Sequence, residues 1–203
     1  MKTPSFKKLA LNTPVLLVLC CVLAAAALPA RALDIQASPL QLNGGGVRQQ
    51  AGSDLYTASL YLDKKLATAA DILGNPGAKQ LRVVMLRDVS AAEMGDLLAR
   101  GMVANASDDE LSRLVPALFR LGEMFGDQKK LVAGDRFQID WQPGQNVMTT
   151  LTIRIYSGAK AGQSPVMEQS FSQPELSDAM LRLWLGANPA DPGLKKALLG
   201  QAV

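Results

Sequence analysis

The first 32 residues decide which chemistry the rest of the chain can support. Both cysteines of the chain lie in this segment, so its removal would leave a protein without cysteine. A lysine-rich start is followed by an uncharged apolar run over residues 14–28, and Ala30, Arg31 and Ala32 have the small-x-small form of a cleavage site. This pattern predicts a secretory signal peptide over residues 1–32, cleaved after Ala32. We therefore expect a periplasmic protein over residues 33–203 with no stable membrane span after cleavage. An uncleaved N-terminal anchor is the alternative.

Removal of the leader changes the charge and the chemistry of the chain. Four of the 21 basic residues leave with it, so residues 33–203 carry 17 basic and 18 acidic side chains, a net charge of −1. This balance gives no support for nucleic-acid binding. The mature chain also lacks Cys and His, which excludes disulfides, His-based zinc sites, Ser-His-Asp triads and haem held by an axial His. We expect no metal and no cofactor.

Strand and helix patterns alternate in blocks along the mature chain. The composition of residues 55–62 predicts a strand. Because side chains alternate along a strand, Tyr56 and the other even-numbered residues share one face, and Thr57 and the other odd-numbered residues share the opposite face. Further strands are predicted over residues 81–86, 136–141, 147–156 and 166–171, with a PGQN hairpin turn at 143–146.

Helix starts are marked by Ser-x-x-Glu capping boxes, in which each side chain bonds the other residue's backbone N–H. These boxes are Ser90 with Glu93, Ser107 with Glu110, and Ser172 with Glu175. We also predict a short helix over residues 64–73, a kink or split at Pro116, and a last helix from Asp191-Pro192 to just before Gly200. The order favours an α+β fold, with an antiparallel sheet covered on one face by helices.

The stretch LNGGGVR holds the most unusual local feature, three glycines followed closely by Arg48. Gly44, Gly45 and Gly46 lack the spacing of a phosphate-binding loop. They fit a bulge or close backbone packing in a strand, or they let something approach the sheet where Arg48 points. Arg48 is either exposed on an edge strand or binds an oxyanion at the mouth of an apolar cavity.

Several motifs in the same order resemble the chalcone isomerase-like family, in its bacterial secreted branch. They are LNGGGVR with LYTASLYL, LRDVSAAEM, AGDRFQIDWQPGQN, and LRLWLGANPADPGLKKALLG. The resemblance covers nearly all of the mature chain and implies an open-faced β-sandwich, a large antiparallel sheet with helices packed on it and a ligand cleft between the layers.

The resemblance also implies site residues. The family's cleft arginine falls on Arg48 and its threonine on Thr57, whereas the catalytic Tyr and Asn positions fall near Met94 and Gly101. Neither of these can donate a side-chain hydrogen bond, so the resemblance implies a member that has lost much of its catalytic constellation but kept an anion anchor.

Three functions follow as hypotheses. The first is a non-catalytic protein that binds a small apolar carboxylate such as a fatty acid, with Arg48, Thr57, Tyr61 and Met94 at the ligand. The second is an isomerase or lyase acting on a conjugated or phenolic acid. The third is a partner-binding module of the cell envelope without a small ligand.

Overall fold

A computed structural model describes residues 40–126, 130–144, 148–158 and 164–201. The predicted leader, and residues 145–147 of the turn region, lie outside these ranges. The strands are β1 (Gln41–Gln50), β2 (Ser53–Leu62), β3 (Lys79–Met85), β4 (Val89–Ser90), β5 (Lys130–Leu131), β6 (Arg136–Pro143), β7 (Thr149–Tyr156) and β8 (Met167–Phe171). The helices are α1 (Ala69–Gly74), α2 (Ala91–Val103), α3 (Asp108–Gly126), α4 (Pro174–Leu185) and α5 (Pro192–Leu198).

Six of the strands form one antiparallel sheet in the order β1-β2-β3-β6-β7-β8, and β4 pairs with β5 in a separate two-stranded ribbon. The excursion from β3 to β6 contains α2 and α3, and the chain returns after β8 as α4 and α5. The predicted α+β, open-faced architecture is confirmed. Within the described ranges, no helix combines the length and apolarity needed to cross a bilayer.

One face of the sheet forms the core. The alternation predicted in β2 is confirmed, because Tyr56, Ala58, Leu60 and Leu62 are at most 1% exposed. The neighbouring strands present the same kind of apolar face. Its buried residues are Leu81, Val83, Met85, Phe137, Ile139, Trp141, Leu151, Ile153, Ile155 and Phe171.

Helix α4 covers this face and is the most buried helix of the fold. Eight residues of its 12-residue span are buried, and it packs against β7 and the other four helices. Its Arg182 guanidinium binds the Glu110 carboxylate of α3 at 2.8 Å, and the Trp141 indole donates to the Ser177 carbonyl at 3.0 Å. These contacts fix α4 between the sheet and the outer helices.

The opposite face of the sheet is polar. Arg82 donates to Gln80, which in turn donates to Asp140, and Arg154 pairs with both Asp140 and Glu168. Charged and amide side chains that satisfy each other across neighbouring strands suit a solvent-facing sheet surface. This face accounts for the open side of the sandwich.

The predicted caps at Ser90 and Ser107 and the predicted start of the last helix are confirmed. Ser90 accepts from the Glu93 amide at 3.0 Å, and the Ser107 amide donates to the Glu110 carboxylate at 3.0 Å. Asp191 caps α5 by accepting from the Leu194 amide at 3.0 Å.

Two predicted helix starts are wrong, and of the two outcomes predicted at Pro116, a kink or a split, the split is contradicted. Helix α1 begins at Ala69 instead of residue 64, because Thr68 caps it through the Asp71 amide. Helix α4 begins at Pro174 without a side-chain cap, because proline fixes the backbone at the first turn and displaces the predicted Ser172 cap. Pro116 does not split α3, which is a single 19-residue helix. Buried residues on both sides of Pro116 hold it together.

The glycine run lets α5 lie directly on β1. A Cβ atom at Gly44 would come within 2.1 Å of the Ala197 carbonyl oxygen, and one at Gly46 within 2.7 Å of the Ala197 Cβ. The register also shifts between Leu42 and Gly44, where the buried Asn43 amide donates to the Leu198 carbonyl at 2.8 Å. The bulge and close-packing interpretation is therefore confirmed, and the group that approaches the sheet is helix α5.

Gly44→Ala tests this packing. Because the new methyl group meets helix backbone instead of a movable side chain, we expect unfolding free energy to fall by about 1–3 kcal/mol. The matched control is Gly122→Ala in α3, where a Cβ meets nothing within 4 Å and helix propensity favours alanine. Urea unfolding measures both, and equal stability of the two variants would contradict the account.

Candidate functional site

Arg48 lies in the edge strand β1 and points into the protein. It pairs with Tyr56 in the sheet register, so both side chains take the core-facing side, and Arg48 is only 7% exposed. The predicted alternative of an exposed arginine on an edge strand is wrong. The edge strand instead carries a buried cation on its inner side.

The Tyr56 hydroxyl joins this arginine to the central helix. It accepts a hydrogen bond from Arg48 Nη1 at 3.3 Å and another from Trp184 Nε1 of α4 at 3.0 Å. The guanidinium carbon also lies 5.6 Å from the centroid of the Tyr56 ring, within the range of a cation–π contact. Among the described residues, no acceptor takes the phenolic hydrogen itself.

The charge of Arg48 is not compensated by a contacting acid. Among the described residues, no carboxylate lies within 4 Å of the guanidinium, and the buried Nε has no hydrogen-bond partner. The Asp191 carboxylate instead accepts from the amides of Gln49 and Leu194. A buried ion without an oppositely charged partner is costly, so a guanidinium in this setting is chemically suited to receive an anion.

Burial sets the protonation of the neighbouring phenol. Loss of solvent raises the pKa of Tyr56 above its ordinary value, while the adjacent Arg48 opposes this effect. Tyr56 therefore stays protonated at neutral pH and keeps a hydrogen to donate.

The other predicted ligand residues do not join Arg48. Thr57 pairs with Val47 and so faces the opposite side of the sheet, and Tyr61 lies on that same side beneath the Arg82 guanidinium at 4.5 Å. Met94 is fully buried in α2. The structure brings Arg48 together with Tyr56 and Trp184, neither of which is among the predicted ligand residues.

One signal in the sequence could have found Tyr56. The strand alternation placed it on the apolar face, and a buried tyrosine normally needs a partner for its hydroxyl. No local pattern indicated Trp184, which is 128 residues away along the chain.

A groove runs between β1 and α5. Its volume is about 470 Å³. Gly45, Gly46, Val47 and Leu194 form part of its wall, together with Gln49, Asp191, Gly193 and Ala197. Arg48 itself is not among the lining residues, although its two strand neighbours, Val47 and Gln49, are. Within the described ranges, no group of three or more acidic, Cys or His side chains could hold a metal ion.

An antiparallel sheet covered on one face by helices, with a buried arginine on its edge strand, defines an open-faced α+β protein. A sequence model of the chalcone isomerase-like family matches residues 23–200, and the chain belongs to this family. The fold is similar to the crystal structure of an Arabidopsis thaliana fatty-acid binding protein, with a TM-score of 0.54 and 16% identity. That match covers 80% of this chain and 89% of the plant chain. No curated protein matches the sequence.

Tyr56→Phe tests whether the hydroxyl holds the site together. The change leaves the buried N–H groups of Arg48 and Trp184 without their acceptor, so we expect a loss of at least about 2 kcal/mol in unfolding free energy. Tyr61→Phe on the polar face is the matched control, with an expected change within about 0.5 kcal/mol. Guanidinium unfolding followed by circular dichroism measures both, and a neutral Tyr56→Phe would refute the role of the hydroxyl.

Proposed function

We propose that this protein binds a small apolar acid such as a fatty acid, without catalysing a reaction, and that Arg48 holds the carboxylate. One observation carries this proposal: a guanidinium that is only 7% exposed has an unpartnered Nε and no carboxylate within 4 Å among the described residues. A ligand carboxylate supplies both the missing charge and the missing acceptor. The fatty-acid binding named for the plant structure agrees with this choice of ligand.

The shape of the donors favours a carboxylate over other anions. Arginine presents its N–H groups in a planar fork that matches two carboxylate oxygens. The Tyr56 hydroxyl adds a donor beside this fork, because both of its interactions with Arg48 and Trp184 use it as an acceptor. A carboxylate placed here would receive hydrogen bonds from two residues.

The groove between β1 and α5 offers the hydrocarbon chain a place beside this anchor. Its volume of about 470 Å³ falls within the range of small-molecule sites, and Val47, Leu194 and Ala197 give it apolar surface. Tyr56 and Trp184 enclose the guanidinium from the core side. We propose that the carboxylate reaches Arg48 from the β1 edge, where the strand neighbours Val47 and Gln49 line the groove.

The positions that the family uses for catalysis argue against an isomerase or lyase. Met94 fills the core, and a Cβ at Gly101 would lie within 2.7 Å of the Leu183 side chain, so no polar group fits there without repacking. Thr57 faces away from Arg48. An Arg48 that points to bulk water, together with a cleft filled by the protein's own side chains, would favour the partner-binding alternative; Arg48 is buried, so the first of these two features is absent.

We further propose that the protein acts in the periplasm. The support is the leader pattern of residues 1–32, with its basic start, apolar run and Ala-Arg-Ala site. An N-terminus at Leu33 in protein recovered from the cell envelope would test this, and an intact Met1 would contradict it.

Arg48→Met tests the anchor through binding and stability together. We expect the affinity for dodecanoate, measured by isothermal titration calorimetry on delipidated protein, to fall about 100-fold, as expected for removal of one partner from a buried charge pair. Without ligand, the variant should be as stable as the wild type or more stable, because an uncompensated buried charge is replaced by an apolar side chain.

The matched control is Arg82→Met, which removes an arginine stacked on a tyrosine at the polar face. Its affinity for dodecanoate should equal that of the wild type. The proposal fails if wild-type protein does not bind dodecanoate, or if Arg48→Met binds it as tightly as the wild type does.

A further inference from the structure

A second cavity lies at the other end of the layer between sheet and helices. It has a volume of about 330 Å³ and is bounded by the start of β3, the end of β6, the end of α1 and the first turns of α4. The residues that matter for its chemistry are Leu73, Lys79, Trp141, Ser177, Asp178 and Leu181.

Lys79 places a buried cation in the wall of this cavity. Its residue is 8% exposed, and its ammonium donates to the carbonyl oxygens of Asn75 and Gly77. An ammonium group has three hydrogens, so one donor remains after these two bonds. No carboxylate lies within 4 Å of the ammonium in the part of the chain that the structure describes.

Burial is the dominant influence on this ammonium. It lowers the pKa of Lys79 from its ordinary value, and the more distant Asp63 and Asp178 carboxylates offset only part of that effect. An anion in contact with the ammonium would favour the charged form of Lys79 and so counter the effect of burial on its pKa.

The remaining walls are suited to an apolar body. The Trp141 indole is held by its hydrogen bond to the Ser177 carbonyl, so its ring stays fixed beside the cavity. Leu73 and Leu181 add aliphatic surface from α1 and α4. Asp178, which is exposed, places a negative charge on the lining, which disfavours a ligand with a second negative group.

This cavity is separate from the Arg48 site. Lys79 begins β3, whereas the partner of Tyr56 in that strand is Met85, six residues further along. At about 3.3 Å per residue, Lys79 and Met85 are about 20 Å apart along the strand. Each end also has its own tryptophan, Trp141 beside Lys79 and Trp184 beside Arg48.

We propose that the cavity at Lys79 is a second ligand site, which binds small apolar monocarboxylates with the Lys79 ammonium at the carboxylate and Trp141 against the apolar body. Its volume lies at the lower end of the range for small-molecule sites, which selects compact acids over long hydrocarbon chains. The site does not depend on the function proposed for Arg48.

The two tryptophans of the chain make the test selective. In protein labelled with ¹⁵N, each indole N–H gives its own NMR signal, and Trp141→Phe assigns them. Cyclohexanecarboxylate is the probe, and cyclohexylmethanol is the neutral analogue of similar shape. We expect the acid to shift the Trp141 signal in a saturable manner and to bind at least about tenfold more tightly than the alcohol.

Variants identify the anchor. Lys79→Gln should weaken binding of the acid at least about tenfold, Lys79→Arg should retain most of it, and the exposed Lys65→Gln should leave it unchanged. Leu73→Phe keeps the lysine and narrows the cavity, so it should weaken binding of the acid and binding of the alcohol to the same extent. This variant keeps the test decisive if the lysine variants fold poorly.

Three results would overturn the proposal: a Trp141 signal that does not respond to the acid, an equal response to the alcohol, or unchanged affinity in folded Lys79→Gln and Leu73→Phe. A shift confined to Trp184 would place the probe at the Arg48 site and would also reject the Lys79 site. Failure of dodecanoate binding at Arg48 would leave the Trp141 result unaffected, so the two proposals fail independently.

Discussion

The arginine site depends on two hydrogen bonds that the Tyr56 hydroxyl accepts. The hydroxyl accepts from Arg48 on the edge strand and from Trp184 on the central helix, so one oxygen atom connects β1, β2 and α4. A phenol can do this in an apolar core because its ring is buried while its oxygen satisfies two N–H donors. The cost is that Arg48 keeps a charge and a free Nε in the protein interior. That unsatisfied chemistry distinguishes the site from ordinary core packing.

The two ends of the layer between sheet and helices have similar arrangements, built around Arg48 at one end and Lys79 at the other. Each end buries a cation beside a tryptophan and under helix α4, which reaches from Ser177 at one end to Trp184 at the other. At the arginine end, the strand neighbours of Arg48 line a groove between β1 and α5, whereas at the other end Lys79 itself lines a cavity. Their donors suit different ligands. A planar fork with a phenol favours a firmly oriented carboxylate, and a single ammonium donor favours a small acid held mainly by its apolar body.

Local patterns predicted the local structure well. The apolar alternation of β2 and the Ser90 and Ser107 caps depend on neighbours within a few residues, and the structure confirms them. The set of residues at the arginine site, in contrast, depends on contacts between residues far apart in the sequence. The sequence places Thr57 and Tyr56 on opposite faces of a strand, but only the β1–β2 register, with its two shifts, shows that Arg48 shares the Tyr56 face. The helix that covers the glycines and the indole that bonds Tyr56 both come from the last 30 residues of the chain.

If Arg48 holds an ionised carboxylate, as we propose, the ionisation state of the bound acid will show it. Dodecanoate labelled with ¹³C at its carboxyl carbon should, when bound, keep the chemical shift of the ionised form as the pH is lowered past its solution pKa, because the adjacent guanidinium stabilises the charged form. In Arg48→Met, any bound acid should lose this protection and titrate at its ordinary pH or above. A bound carboxyl that titrates at the same pH in wild type and Arg48→Met would contradict the account.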